Sequence, residues 1–281
     1  MANSKVFELF KLQERARPVL KWAGGKSQLL TQLIPHFPEK FDRYIEPFLG
    51  AGAIFFALDP KCPAVINDAN PELHELYLVI RDNPRELARL LDSHAKKYSE
   101  NFYYDLRASK PRTALGRAAR FIFLNKTGFN GLYRLNSKGQ FNVPFGKRKQ
   151  CPTLYEEDNL KKVSNRLRKS QIKNWDFEKV IRLAKKGDFV YCDPPYSPLS
   201  RTSSFNTYTA TGFSHEEQIR LKNACDEASA RGAVVAISNS SAPLILDLYQ
   251  DWNIHFIKAR RSINSKSHLR GPVHEVLGMP N

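Results

Sequence analysis

The stretch Arg43-Tyr-Ile-Glu-Pro-Phe-Leu-Gly-Ala-Gly52 decides the fold. It reads as a strand up to Phe48 that breaks into a small-residue turn at Leu49 to Gly52. Ile54 to Leu58 opens a helix, and a second short strand, Ala64-Val-Ile66, ends in Asn67-Asp68. Strand, glycine turn, helix, strand and terminal acid together begin a parallel α/β sheet.

Beyond Asp68 the sheet pattern stops. Residues 71–81, 84–97 and 112–127 are helical in texture, without strand alternation between them. So long an excursion predicts a mainly helical subdomain inserted into the sheet. It closes with Gly128 to Gly146, where Ser137-Lys-Gly139 supplies a turn between two short extended stretches, the pattern of a β-hairpin. Lys147-Arg-Lys149 and a helix near 156–169 follow. Sheet texture returns at Gln171 to Trp175 and Asp188 to Asp193. Then come a Ser/Thr-rich loop (197–213), a helix whose start is marked by the capping box Ser214 and Glu217, and the strand Ala233 to Ile237. The segments 253–259 and 273–277 read as two antiparallel strands at the sheet edge. The expected organisation is a sheet domain of residues 1–70 and 171–281, interrupted by an insert of residues 71–170.

At 281 residues and 42% hydrophobic, the chain can bury roughly three quarters of its unfolded surface, which excludes wholesale disorder. Its 44 Lys+Arg against 28 Asp+Glu leave a formal +16, which favours polyanions, nucleic acid before an anionic membrane. The start has no apolar core with a cleavage pattern, and the run Ala51 to Leu58 is far short of the about 18 residues that span a bilayer. Cys62, Cys151, Cys192 and Cys225 show no CxxC, so free, mostly buried thiols are expected and a zinc site is not. No HxxxH or G-x-S-x-G supports a metal or serine hydrolase. A cytoplasmic monomer without an obligate protein partner is the expectation.

Asp193-Pro-Pro-Tyr196 is the sharpest local feature, following a strand at the carboxyl edge where open α/β sheets bind ligands. The double proline makes a stiff corner, and its carbonyls are expected to stand free as acceptors. An aspartate and a fixed carbonyl can accept both hydrogens of an exocyclic amino group, with Tyr196 stacked on the ring that bears it. The competing reading is a rigid turn with a capping Asp. Gly50 and Gly52 suit a nucleotide-binding turn, or an ordinary βα turn, and Asp68 could take ribose hydroxyls. Glu46 is a candidate partner for a cationic group. Lys21-Trp-Ala-Gly-Gly-Lys-Ser27 is not a P-loop, because Leu20 stands where the first glycine belongs; its Lys26 could face a carboxylate. Asp176-Phe177 is either an adenine site or a helix cap with a core Phe. Residues 145–173 hold nine Lys/Arg against three acids, and the tail from 254 holds Lys258, Arg260, Arg261, Lys266 and Arg270. These are a solvated basic face or phosphate contacts. Arg134 on the hairpin has the chemistry to take guanine O6 and N7, and Leu132 to cover a thymine methyl.

Together the segments KWAGGK (21–26), EPFLGAG (46–52), NDANPEL (67–73), NKTGFNGLYRLNSKGQFNVPFGK (125–147), YCDPPYSPLS (191–200) and RRSINS (260–265) resemble the DNA adenine-N6 methyltransferase family of the Dam type. The tetrad alone also occurs in methyltransferases of cytosine N4, RNA and protein amides; the hairpin segment is more specific. The resemblance implies a Rossmann-like, S-adenosylmethionine-dependent methyltransferase sheet with an inserted target-recognition subdomain, acting on double-stranded DNA at GATC without a metal. It implies that Lys26 and the loop carrying Trp22 handle the methionine end of the cofactor. Glu46, Phe48, Gly50 and Gly52 would line its site, with Asp68 on the ribose and Asp176 and Phe177 on the adenine. Asp193, Pro194, Pro195 and Tyr196 would bind the flipped target adenine beside the methyl group. Arg134, Leu132 and Asn130 would read bases, Phe129 would wedge between them, and Lys21 would contact the outer guanine. Asn142, Lys147, Arg148, Arg260 and Arg261 complete the implied DNA surface. Many relatives carry Tyr at the position of Phe129, and the 260–270 stretch departs from the family form.

Overall fold

A computed structural model describes residues 14–196, 213–260 and 272–281. Seven strands form one sheet: β1 (Arg43–Glu46), β2 (Ala64–Asn67), β3 (Ser170–Lys173), β4 (Asp188–Cys192), β5 (Val234–Ser240), β6 (Asn253–Arg260) and β7 (Pro272–Met279). Their order is β3-β2-β1-β4-β5-β7-β6. β1 runs parallel to both β2 and β4, with Tyr44 opposite Ala64 on one side and Phe189 on the other. β5 is parallel to β4, while β7 is antiparallel to both β5 and β6, as the pattern of 253–259 and 273–277 predicts. The strand order therefore reverses between β1 and β4. In open α/β sheets a ligand crevice forms at such a switch point, outside the carboxyl ends of the strands. Here those ends are Glu46 and Asp193.

Among the described residues the helices are α1 (Leu30–Leu33), α2 (Ala53–Leu58), α3 (Pro71–Asp82), α4 (Pro84–Lys96), α5 (Glu100–Ala108), α6 (Ala114–Thr127), α7 (Glu157–Arg168), α8 (Phe177–Ile181), α9 (His215–Ala230) and α10 (Pro243–Leu248). Both faces of the central strands are covered, which is why they read as continuous apolar runs rather than alternating ones. Ile45, Val65, Val190, Cys192 and Val235 share one core with Val180 of α8 and with Leu221 and Cys225 of α9. On β1 and β4, Tyr44, Phe189 and Tyr191 make an aromatic cluster with Phe37 and Phe41. No helix among the described residues is long and apolar enough to cross a membrane.

The chain divides into two compact units, one of residues 26–49, 60–69 and 175–281, the other of residues 1–25, 50–59 and 70–174. The second thus takes in more than the stretch 71–170. Phe55 of α2 is fully buried under the Arg166 guanidinium of α7 at 5.0 Å, and Asp59 lies 3.6 Å from Arg166 Nε. The chain near Arg17 is tied to α7 and its flank by bonds to Glu156 and Asn159.

Two local expectations are corrected. The helical texture of 71–127 hides a further helix, α5: Ser99 accepts from the Phe102 N–H at its start, and Tyr103 is buried. The hairpin is a wider ribbon, held by isolated antiparallel bridges Gly128–Phe145 and Leu135–Phe141 rather than by continuous strands. A 3-10 turn at Phe129–Gly131, with Asn130 at φ 53° and Gly131 at φ 66°, interrupts the first arm. The tip spans Asn136 to Gln140 and is organised by Asn136, whose Oδ1 accepts from the N–H groups of Lys138 and Gln140. No disulfide joins the four cysteines; Cys192 and Cys225 are buried, but Cys62 and Cys151 only half so.

Candidate active site

Asp193 leaves β4 at the switch point and meets an ammonium. Lys26 is 2% exposed, sits at the start of the 3-10 turn Lys26–Gln28, and places Nζ 2.8 Å from Asp193 Oδ1. The same Nζ lies 3.7 Å from Glu275 Oε2 on β7 and 4.8 Å from the centre of the Tyr196 ring. Tyr196 donates its hydroxyl to Glu275 Oε2 at 2.6 Å. Burial pushes the Asp193 carboxyl up to about 6 although Lys26 pulls it down; Glu275 pushes it further up. Burial, followed by the charges of Asp193 and Glu275, raises the Tyr196 phenol well above its ordinary range. The corner itself is braced from α9. Buried Gln218 donates to the Pro195 carbonyl at 3.3 Å and accepts from Asn239 at 3.0 Å. The expectation of two free proline carbonyls therefore fails at Pro195.

The neighbouring strand ends are organised by an unexpected residue. Asn67, 1% exposed, donates to the carbonyls of Pro47 and Trp175 and accepts from the Trp175 N–H, at 2.8–3.0 Å. One amide thus sets the loops bearing Phe48 and Asp176-Phe177, with Asp68 half-buried beside it. Phe48 is half-buried against Phe177 and Phe213, with ring centroids 5.3 and 5.7 Å away. Asp176 caps α8 by accepting from the Glu178 N–H and pairs with Arg220, whose guanidinium lies 4.3 Å over the Phe177 ring. Phe177 is 5% exposed and belongs to the core. Helix cap and core Phe are the positions this pair occupies. Glu46 is buried and accepts from Tyr44 at 2.8 Å.

Of the remaining sequence candidates Arg260 ends β6, and the others described lie in the helical unit. Gly50 and Gly52 are left-handed, at φ 50° and 74°; a Cβ on Gly50 would sit 2.9 Å from the Trp22 ring. Trp22 packs with Phe121 and Tyr133. Lys21 is locked through its main chain. Asn125, 1% exposed, accepts its N–H at 2.9 Å, donates to its carbonyl at 2.8 Å, and donates to the Gly131 carbonyl at 3.0 Å. Gly131 is pressed so closely on the Lys21 side chain that a Cβ would meet it at 2.5 Å. On the ribbon, Phe129 is 51% exposed, Asn130 is exposed and Leu132 half-buried. Exposed Arg134 donates to Asn142 Oδ1 at 2.7 Å and, from Nη2, to the Asn142 carbonyl at 3.3 Å. Lys147 and Arg148 are exposed, with the Arg148 carbonyl accepting from Tyr98. Arg261 and the 197–212 part of the Ser/Thr-rich loop lie outside the described residues.

The sequence reading missed Asn67, Asn125, Gln218 and Glu275. Asn67 and Asn125 do stand inside the motif segments NDANPEL and NKTGFNG, and a polar residue in an otherwise apolar run is the signal that could have found them. Gln218 and Glu275 reach the site from α9 and β7, which no local pattern announces.

An open α/β sheet with a buried lysine–carboxylate cluster at its switch point defines a ligand-binding enzyme of the doubly wound class. Residues 22–263 match the family described as D12 class N6 adenine-specific DNA methyltransferase. The chain is 45% identical over 269 residues to the Type II methyltransferase M1.LlaDCHI of Lactococcus lactis subsp. cremoris, covering 93% of this chain and 94% of that protein. It is 39% identical over 285 residues to the Type II methyltransferase M.MjaIII of Methanocaldococcus jannaschii (94% and 98%). It is 34% identical over 271 residues to the DNA adenine methylase of Escherichia coli K12 (95% and 96%). The chain belongs to the D12 class of N6 adenine-specific DNA methyltransferases. It is an enzyme that methylates N6 of adenine in DNA, and membership implies S-adenosylmethionine as the methyl donor.

The residues present fit that donor. Among the described residues the strand ends carry the carboxylates of Asp193, Glu275 and Glu46 with the ammonium of Lys26, chemistry suited to a cationic sulfonium, and Phe48 offers a half-buried aromatic surface packed on Phe177.

Proposed function

We propose that the enzyme methylates the adenine of GATC in double-stranded DNA, with the target base flipped into the site formed by Asp193, Pro194, Pro195 and Tyr196. The observation that carries this reading is the Lys26–Asp193–Tyr196–Glu275 cluster at the carboxyl end of β4. Flipping takes the base out of its stack at a cost of a few kcal/mol. Asp193 and the Pro194 carbonyl accept the two amino hydrogens of N6, and Tyr196 stacks on the ring. Lys26 holds the Asp193 carboxylate in place while the Pro195 carbonyl is anchored by Gln218. When bound, S-adenosylmethionine would supply an electrophilic methyl group, carried on its sulfonium, for attack by N6. The N6 lone pair is aligned for that attack by its two acceptors, and alignment with electrostatic complementarity is the protein's contribution. Asp193, whose carboxyl titrates at about 6, is placed to hold the proton that N6 sheds.

Cofactor contacts are assigned to Lys26, Trp22, Glu46, Phe48, Gly50, Gly52 and Asp68. Asp176 and Phe177 contribute through the wall they build with Arg220 rather than through a free carboxylate. The sequence is read by the ribbon. Arg134, held by Asn142, presents its guanidinium to a guanine, Leu132 and Asn130 flank it, exposed Phe129 wedges, and Lys21 takes the outer guanine.

Purified protein, labelled donor and duplexes altered at each base of GATC test the proposal. Label is expected on adenine N6 of the GATC duplex. Asp193→Ala should abolish transfer while retaining most duplex affinity. Arg134→Ala should erode discrimination at a guanine by about 1–3 kcal/mol. Near-normal turnover by the Asp193 variant, or equal labelling of all duplexes, overturns the reading.

A further inference from the structure

Glu275 belongs to none of the motif segments that carry the family resemblance, yet it accepts a short hydrogen bond from Tyr196. It stands on β7 opposite Ser240 of β5, which brings a carboxylate from near the end of the chain to the crevice. Its Oε2 accepts the Tyr196 hydroxyl at 2.6 Å and lies 3.7 Å from Lys26 Nζ. The ammonium of Lys26 in turn contacts Asp193 at 2.8 Å and lies 4.8 Å from the Tyr196 ring centre. The tyrosine is thus held at its hydroxyl and at its ring, and two carboxylates share one cation. A ring that must meet an incoming base in one plane gains from being fixed before the base arrives, because small misplacements in a reacting assembly cost large factors in rate.

We propose that Glu275 is a positioning residue for methyl transfer, fixing the plane of Tyr196 through its hydroxyl and sharing the Lys26 ammonium with Asp193. This rests on the reading of Asp193 and Tyr196 as the groups that receive the target base.

The arrangement has a pH signature. The groups facing Asp193 are Lys26 from the 3-10 turn, Glu275 from β7, Tyr196 from its own loop, and Tyr191 and Cys192 from β4. The two phenols and the thiol are raised well above their ordinary ranges and stay neutral, so among the described residues Lys26 and Glu275 are the charges that act on Asp193. Glu275 pushes the Asp193 carboxyl upward. Removing its charge therefore lets Asp193 ionise at lower pH.

Two variants separate the parts of the proposal. Glu275→Ala is expected to lower kcat about 10- to 100-fold, with KM for the duplex within about twofold. Glu275→Gln, which keeps an acceptor for the Tyr196 hydroxyl, is expected to recover most of that loss. The acid limb of its kcat/KM profile should lie below the wild-type one. Wild-type turnover by Glu275→Ala overturns the proposal, as does a Glu275→Gln variant whose acid limb has not moved. If Glu275→Ala does not fold, the limb of Glu275→Gln decides alone. Failure here with an inactive Asp193→Ala leaves the base-binding site standing; an active Asp193→Ala removes that site and this inference together.

Discussion

Asp193 illustrates how one residue can be tuned by opposed neighbours. Desolvation raises its carboxyl to about 6, and Lys26 restrains the rise. In the proposed role as acceptor for N6 this carboxyl must be ionised, so kcat/KM for methylation should fall as pH drops through about 6. Lys26 favours the charged form, so replacing it by methionine removes an opposite charge and must move that acid limb to higher pH. The measurement is kcat/KM against pH for wild type and Lys26→Met on the same duplex. A limb that stays in place, or moves to lower pH, contradicts the electrostatic account. The direction is opposite to that expected of Glu275→Gln, and no general loosening of the fold moves a titration in two directions.

At the scale of the element, α9 shows what is legible in a sequence and what is not. Its start was readable because a capping box is local. Ser214 accepts from the Glu217 N–H, and the Glu217 side chain accepts from the Ser214 N–H. The same locality made β1, β2, β4 and the glycine turn legible. What α9 does for the site was not, since Gln218 reaches the Pro195 carbonyl and Arg220 covers Phe177 across sequence gaps that no periodicity encodes. The ribbon fails for a related reason. Its turn residues are those of a hairpin, but left-handed Asn130 and Gly131 divert the first arm into a 3-10 turn before a ladder can form. Helix α5 escaped because its nine residues present polar and aromatic side chains with a single fully buried anchor, Tyr103. Loss of the α9 cap has a direct cost. Ser214→Ala should destabilise the protein by about 0.5–2 kcal/mol, read as a lower unfolding midpoint in urea with an unchanged slope. An unchanged midpoint would show that the helix start is held by packing instead.

Over the whole molecule the +16 charge divides into parts with different surroundings. Not all of the basic run 145–173 is surface, because Arg166 is 7% exposed and spends its guanidinium on the Phe55 ring and Asp59. Lys147, Arg148 and Lys149 are exposed, and the bond from Tyr98 to the Arg148 carbonyl anchors that stretch. Arg134, by contrast, is aimed by Asn142. Phosphate contacts hold a duplex without reading it, whereas base-edge contacts choose the site. The two classes should therefore separate in one binding experiment across a salt series. Each lost phosphate contact makes the slope of log affinity against log salt shallower by about 0.9. Arg148→Ala should show that change while keeping whatever preference the wild type has between the proposed GATC duplex and one with a single base pair substituted. Arg134→Ala should show the reverse, a reduced preference with a slope close to wild type. An Arg148 variant that loses preference but keeps its slope would move Arg148 from grip to reading, and the surplus charge would then serve site choice as well as affinity.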